Sequence, residues 1–383
     1  MILFIISTAL SLALVFVVAT MTRAFKPLPT PSPADPPAEG PLVSIVLPAR
    51  NEERNIQQCL SSLLGQCYPN LEVVMVDDES TDKTLHLAQA LAARDSRLTV
   101  IKGTPLPRGW IGKNHAVHQA MHHARGDWFL FTDADTVHSP QALASALDLE
   151  VREKADMLCL FTHQHQDTFW EKVVQPAVLL AVFALGGTAH EANDPRSPIV
   201  KTNGQYMLIR RQAYESVGGH EAFKADIVED LALARNVKRA GFRLLLADGR
   251  ALVTTRMYAS LKEIWQGWSK NMCAAHTGES RFRRMTMYAL YGLASAAPLV
   301  VLIWSAAAFV MASDPLVAVA GLQSAAQISF LVIMRVKVNE IFQVGAWYAL
   351  GHPLAGAVFL GMMIWCGLRA LTGRRVGWKG RRY

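Results

Sequence analysis

An apolar run from Trp128 to Phe131 empties through Thr132 into Asp133, Ala134 and Asp135. Alternate positions of an extended chain face the same way, so the two carboxylates point together. They suit one hard divalent cation and the anionic ligand it neutralises. The apolar residues before them read as a buried strand. That places both aspartates at its carboxyl edge, where open α/β sheets bind ligands. A solvated acidic turn has the same local look, so the rest of the chain has to decide.

Three further segments have the same character. After Val43–Leu47 come Pro48, Ala49, Arg50, Asn51, Glu52 and Glu53, a turn whose backbone N–H groups and polar side chains can meet a nucleotide. After Leu71–Val76 come Asp77, Asp78, Glu79, Ser80, Thr81, Asp82, Lys83 and Thr84. Asp77 and Asp78 can hold base or ribose donors, and Thr81 or Asp82 can cap the next helix. Gly109 to Asn114 then supplies a flexible loop and one cation, Lys113, placed either to meet a diphosphate or simply to start a helix. Further on, Glu229 and Asp230 open a helical pattern, where the helix dipole favours carboxylates. Lys201 to Tyr206 leads into another apolar run and reads either as an acceptor-side wall or as a strand start.

The elements that must position these residues are short. Val43–Leu47, Leu71–Val76, Leu98–Ile101 and Trp128–Phe131 read as strands, and Glu53–Leu64, Lys83–Ala93 and Asn114–Ala124 have helical spacing. Such alternation predicts a largely parallel sheet flanked by helices. Histidines are frequent between His115 and His165, and His118 shares a helical face with His122. With no carboxylate at fixed spacing, they read as a surface face rather than a metal site. The five cysteines (59, 67, 159, 273 and 366) have neither metal nor redox spacing and are expected to be reduced and structural.

Much of the remainder is membrane-like. Ile2–Met21 is uncharged and followed by Arg23 and Lys26, the pattern of an uncleaved anchor with its N-terminus outside. A proline-rich tether, extended and partly stiff, covers 24–41. Met285–Ser313, Leu316–Met334 and Ile341–Leu368 are apolar enough to span, with Asp314 and Pro315 turning between the first two. The basic clusters at Arg281/Arg283/Arg284, Arg335/Lys337 and Arg374–Arg382 all belong on the cytoplasmic side. Three full C-terminal spans would put the last cluster outside, so Ile341–Leu368, interrupted at Gly351–Pro353, is expected to dip in and return. Lys172–Gly187 is too short to span and reads as an interfacial wall or a core helix. The net charge of +7 comes largely from these flanks and fits anionic headgroups better than nucleic acid.

The order of motifs from Ala49 to Asp135 resembles the family 2 glycosyltransferases of GT-A fold, over about residues 42–275. The resemblance implies an α/β catalytic domain with a Rossmann-like, mostly parallel sheet, working on a nucleotide-diphospho-sugar. By it, Ala49, Asn51, Glu52 and Asp78 contact the nucleotide, with Lys113 and Asp133 beside them. Asp133 and Asp135 hold Mg²⁺ or Mn²⁺, and Asp230 is the general base. Gln205, Glu229, Gln266, Trp268 and Lys270 belong to the acceptor region. Processive polysaccharide synthases of this family carry Gln-x-x-Arg-Trp, and here no Arg-Trp follows Gln266. Met257 and Tyr258 with Gly267–Asn271, together with the closing Trp378–Tyr383, instead resemble bacterial carotenoid and related lipid glycosyltransferases. Trp265 and Trp268, on one helical face, suit a membrane interface.

The expected organisation is an anchor at 1–23, the linker at 24–41 and a GT-A domain at 42–260. An interfacial segment at 261–284, membrane helices at 285–371 and a basic tail at 372–383 follow. The expected activity is inverting transfer of one sugar, from a UDP-sugar in the first instance, to a lipid hydroxyl at the inner membrane, with the catalytic domain cytoplasmic. A polysaccharide synthase and a non-catalytic membrane scaffold are the alternatives.

Overall fold

The computed structural model describes residues 1–22, 27–34, 36, 39–185, 187–274, 281–372, 377–378 and 381–382. Arg23, Lys26 and most of the basic tail lie outside the described residues, as do the side chains of Arg281, Arg283 and Arg284.

The strands are β1 (Val43–Ala49), β2 (Leu71–Asp77), β3 (Leu98–Lys102), β4 (Trp128–Thr132), β5 (Thr136–His138), β6 (Met157–Phe161), β7 (His163–Gln164), β8 (Tyr206–Arg210), β9 (Leu244–Asp248) and β10 (Val253–Thr255). Seven form one sheet in the order β3-β2-β1-β4-β8-β6-β9, and β5-β10-β7 form a small second one. β1, β2, β3 and β4 pair in parallel, while β8 runs antiparallel to both neighbours. The fold is therefore mixed α/β with a mostly parallel sheet. β2 and β4 are buried along their whole length, as strands between two helical layers must be, and the carboxylate of Glu72 inside β2 is held by Ser44 and Arg125.

The helices are α1 (Ile2–Thr22), α2 (Ile56–Leu64), α3 (Thr84–Ala92), α4 (Gly112–Met121), α5 (Ala142–Glu153), α6 (Phe169–Ala184), α7 (Ala189–Asn193), α8 (Arg211–Ser216), α9 (Glu229–Arg239), α10 (Leu261–Ala274), α11 (Arg281–Ala312), α12 (Pro315–Ile341) and α13 (His352–Thr372). The proline-rich stretch is docked rather than free where it is described: the Asp248 N–H donates to Pro29 O and the Ala34 N–H to Ser145 Oγ.

Among the described residues, four helical segments are long and apolar enough to cross a membrane: Ile2–Ala19, Met285–Met311, Pro315–Ile341 and Ala346–Arg369. Their arrangement separates them. α1 lies along α12, with Ser7 Oγ bonded to Ala320 O and Gln327 Nε2 donating to Ser7 O, while Gly321 meets Ser305 of α11. α13 instead starts opposite Ser295, halfway along α11, and runs back towards Met285. On its other side Gly361 meets Trp265 of α10, and Gly351, just before the helix, meets Val173 of α6. The expected dip and return is thus replaced by one helix of 21 residues packed between α11 and the catalytic domain. Hydropathy alone cannot separate a helix buried by protein from one buried by lipid.

α6, by contrast, is a core helix, with Val173, Val174, Ala177 and Val178 fully buried. Thr168 and Glu171 cap its N-terminus reciprocally. Two corrections follow from how these helices pack. Cys273 and Cys366, expected to be reduced, are joined in a disulfide because α10 and α13 lie side by side. Trp268, expected at a membrane interface, is 6% exposed and donates from Nε1 to Gln175 Oε1 of α6.

Candidate active site

The site lies along the carboxyl edge of the parallel strands. Ala49 ends β1 and its carbonyl accepts from the Asp78 N–H, which ties the two exit loops together. Asn51 adopts φ 53°, a left-handed conformation that asparagine tolerates, and its Oδ1 accepts from the Thr81 N–H at 2.8 Å. The Glu52 N–H donates to Thr84 Oγ1 and the Glu53 N–H to Asp82 Oδ2. Asp82 also accepts from the N–H of Thr84, so it organises the start of α3. Asp77 is buried, and its Oδ1 has no hydrogen-bond partner among the described residues. The donor-side loops are thus a fixed lattice of side-chain to backbone bonds.

Beside this lattice is a chain of charge. The Lys113 ammonium, in the first turn of α4, lies 2.6 Å from Asp133 Oδ1 and 2.5 Å from Glu229 Oε1. Asn114 secures α4 by donating to the carbonyls of Phe223 and Asp226, just before α9. Burial works against the Lys113 charge, but the two carboxylates outweigh it and hold the pKa well above the usual lysine value. Burial raises Glu229, and Lys113 more than reverses this, with Lys270 of α10 adding to the lowering. Asp230 goes the other way. Burial, then the charge of Glu229, push it up to about 6, with Lys113 pulling back. Two adjacent carboxyls in one helical turn are therefore driven apart in acidity.

Asp230 Oδ1 accepts from the N–H of Leu231. Its other oxygen faces Gly204, where a methyl would lie 3.4 Å from Oδ2 and 3.3 Å from Cβ. The loop before β8 thus lies directly against the carboxylate. Gln205 is buried, its Oε1 accepting from Gln164 Nε2 and Thr162 Oγ1, so it braces this loop from within.

Asp133 and Asp135 leave β4 in a tight turn closed by Thr136, whose hydroxyl donates to Asp133 O at 2.7 Å. Among the described residues no group of three or more His, Cys, Asp or Glu is set to hold a metal. Two hard carboxylates do fit a small divalent cation that takes its remaining oxygens from water and a diphosphate. His118 packs tilted against Trp110 at 4.8 Å and meets His122 edge-on at 5.0 Å, so these histidines form an aromatic face.

Of the sequence-predicted residues, Ala49, Asn51, Glu52 and Asp78 share the donor-side loops, and Lys113, Asp133, Glu229 and Asp230 form the charged edge. Gln266 is exposed on α10, and Trp268 sits in the core. The residue that the sequence under-read is Tyr258. Burial, then the charges of Asp135 and Asp133, raise its pKa, so it lies within electrostatic reach of that pair. A methyl on Gly267 would come within 2.2 Å of the Tyr258 ring. A glycine at 267, inside a helix where glycine is costly, is the signal: the ring needs the glycine.

Residues 44–218 match the family described as glycosyl transferase family 2. The chain carries a family 2 glycosyltransferase domain. It is 25% identical over 345 residues to a 4,4'-diaponeurosporenoate glycosyltransferase of Staphylococcus aureus (strain USA300), covering 89% of this chain and 88% of the relative. The protein of the same description from strain MRSA252 is 26% identical over 240 residues, 62% of each chain. Among solved structures, a mannosyltransferase from Pyrobaculum calidifontis in complex with GDP-Man and Mn2+ superposes with TM-score 0.55. It is 20% identical, with 96% of this chain and 99% of that one covered, and shows a shared fold.

Proposed function

We propose that this glycosyltransferase is a membrane enzyme that transfers one sugar from a nucleotide-diphospho-sugar, a UDP-sugar in the first instance, to a lipid hydroxyl, with inversion. The observation that carries the reading is the position of Asp230. It is a carboxyl raised to about 6, with Gly204 packed against it, and one residue from a Glu229 that Lys113 links to Asp133.

In this reading the loops at Ala49, Asn51, Glu52 and Asp78 receive the nucleotide, and Lys113 and Asp133 stand where its diphosphate arrives. The acceptor hydroxyl approaches beside Gly204 and gives its proton to Asp230 Oδ2 as its oxygen attacks the anomeric carbon. The new C–O bond forms as the bond to the diphosphate breaks on the opposite face, which inverts the centre. Mg²⁺ or Mn²⁺ held by Asp133 and Asp135 would supply neutralisation of charge on the departing diphosphate.

The membrane arrangement supports a lipid acceptor. α1, the second half of α11 and α12 serve as three spans, with α13 on the domain side. With the N-terminus outside, every basic cluster in the sequence then falls on the cytoplasmic side together with the catalytic domain. The Staphylococcus relative is named for a carotenoid carboxylate, and a carotenoid or hopanoid acceptor suits the same walls. A carboxylate acceptor needs no base, whereas a hydroxyl does, so the raised Asp230 favours the hydroxyl.

The test is release of nucleoside diphosphate from UDP-glucose and other sugar nucleotides by the purified protein with Mn²⁺, with and without total lipid extract, beside Asp135→Ala. Lipid-stimulated release that Asp135→Ala abolishes is expected. No release from any donor, with folding intact, would remove the reading.

A further inference from the structure

Arg335 lies near the domain-side end of α12 and is 1% exposed. Its Nη2 donates to the carbonyls of Lys172 and Val173 in α6, at 2.9 and 2.8 Å, and its Nε donates to Asn339 Oδ1. The cause of the first contact is in the sequence. Pro176 has no N–H, so the Lys172 carbonyl one turn back lacks its helical donor, and the guanidinium takes that place. All three bonds are to neutral oxygens. They satisfy hydrogens but leave the charge uncompensated, and a charge so buried is costly without a counter-charge.

The remaining donor, Nη1, is buried without a hydrogen-bond partner among the described residues. It belongs to the lining of a cavity of about 20 Å³ between α1, α6, α11, α12 and α13. The walls are apolar, including Leu14, Val17, Leu180, Leu331 and Met334. The other polar groups are Tyr291, whose hydroxyl donates to Ala177 O, with Ser295 and His352, which bond to each other at 3.2 Å. His352 Nδ1 is buried and also without a partner among the described residues. One oxygen of a carboxylate or phosphate is about the size of the water such a space holds. The rest of a headgroup would have to sit at the mouth.

The lining takes Leu14 and Val17 from the later part of α1, Met334 and Arg335 from the later part of α12 and Leu180 from α6, so the pocket sits where the helices long enough to span meet the catalytic domain. Leu12, Val15 and Phe16 of α1 are exposed nearby as a lipid-facing surface. We propose that this pocket binds the anionic headgroup of a membrane lipid, one oxyanion oxygen of which reaches Arg335 Nη1 while the chains lie along α1. It shares no residue with the catalytic edge, so it stands apart from the proposed transfer reaction. Its occupant would fasten the membrane bundle to α6, and through α6 to the domain.

The probe is the full chain, stripped of lipid in uncharged detergent and titrated with phosphatidylglycerol, phosphatidylcholine or free glycerol phosphate, with bound molecules counted by native mass spectrometry. Phosphatidylglycerol is expected to bind roughly tenfold more tightly than phosphatidylcholine. Both Arg335→Leu and Val17→Leu, whose one added methylene takes up a space of this size while leaving the Arg335 bonds to α6, should abolish the preference. If Arg335→Leu fails to fold, Val17→Leu carries the test alone. Equal binding of the two lipids, or a preference that survives in a folded variant, overturns the proposal. Displacement of the lipid by glycerol phosphate alone overturns its lipid occupant and leaves a phosphate site.

Discussion

Two cations, one half-buried and one buried, divide this molecule. Lys113, at the catalytic edge, has a third of its side chain open and faces two carboxylates, Asp133 and Glu229. Arg335, between the membrane helices and α6, is closed off and faces only neutral oxygens. The difference lies in what each can accept. A cation clamped by carboxylates fixes the acids around it and marks a place where incoming phosphates and cations rearrange charge. A cation clamped by carbonyls keeps its net charge and draws an anion. In the reading proposed above, one arrangement serves chemistry and the other attachment.

The largest expected effect comes from breaking the first region at its reactive member. Asp230→Asn keeps the shape and removes the proton acceptor, and turnover measured as nucleoside-diphosphate release should fall about 10³-fold with unchanged thermal unfolding. Next comes the junction between the regions. Gly267→Ala places a methyl within 2.2 Å of the buried Tyr258 ring and should cost about 2–3 kcal/mol, read as a lowered unfolding midpoint in detergent.

Lys113→Met sharpens the contrast, because it leaves Asp133 and Glu229 without their shared counter-charge. A fully buried broken pair costs about 3–5 kcal/mol, and the partial exposure of Lys113 brings the expected loss down to about 1–2 kcal/mol. The smallest effect belongs to an ordinary surface pair. Arg152 and Asp148 are both more than two-fifths exposed, and Asp148→Ala should change stability by less than about 0.5 kcal/mol.

The catalytic half was largely legible because its signals are local. A run such as Trp128–Phe131 ending in Asp133 states strand, exit and chemistry within a few residues, and the structure has β4 ending at Thr132. The loops at Ala49 and Asp77 were read in the same way. What was not legible depends on distant parts of the chain meeting. Nothing near Lys113 announces Glu229, and nothing near Cys273 announces Cys366. The fate of apolar helices was the other gap. α6 is apolar but covered by protein, α13 is covered on one side and leaves Ile364, Leu368 and Leu371 exposed on the other, and Trp268 lost its interfacial reading because α6 covers it. Periodicity reports that a face is buried, not what buries it.

The pH dependence of lipid-stimulated turnover tests the central claim most directly, with the wild type measured beside Lys113→Met. Asp230 must be ionised to take a proton, so its raised pKa predicts a rate that is level above pH 6 and falls about tenfold per unit below it. Loss of the Lys113 charge should carry that limb to higher pH, because Lys113 pulls the Asp230 pKa down. A rate that stays level through pH 6 to well below it, in both proteins, would contradict Asp230 as the base.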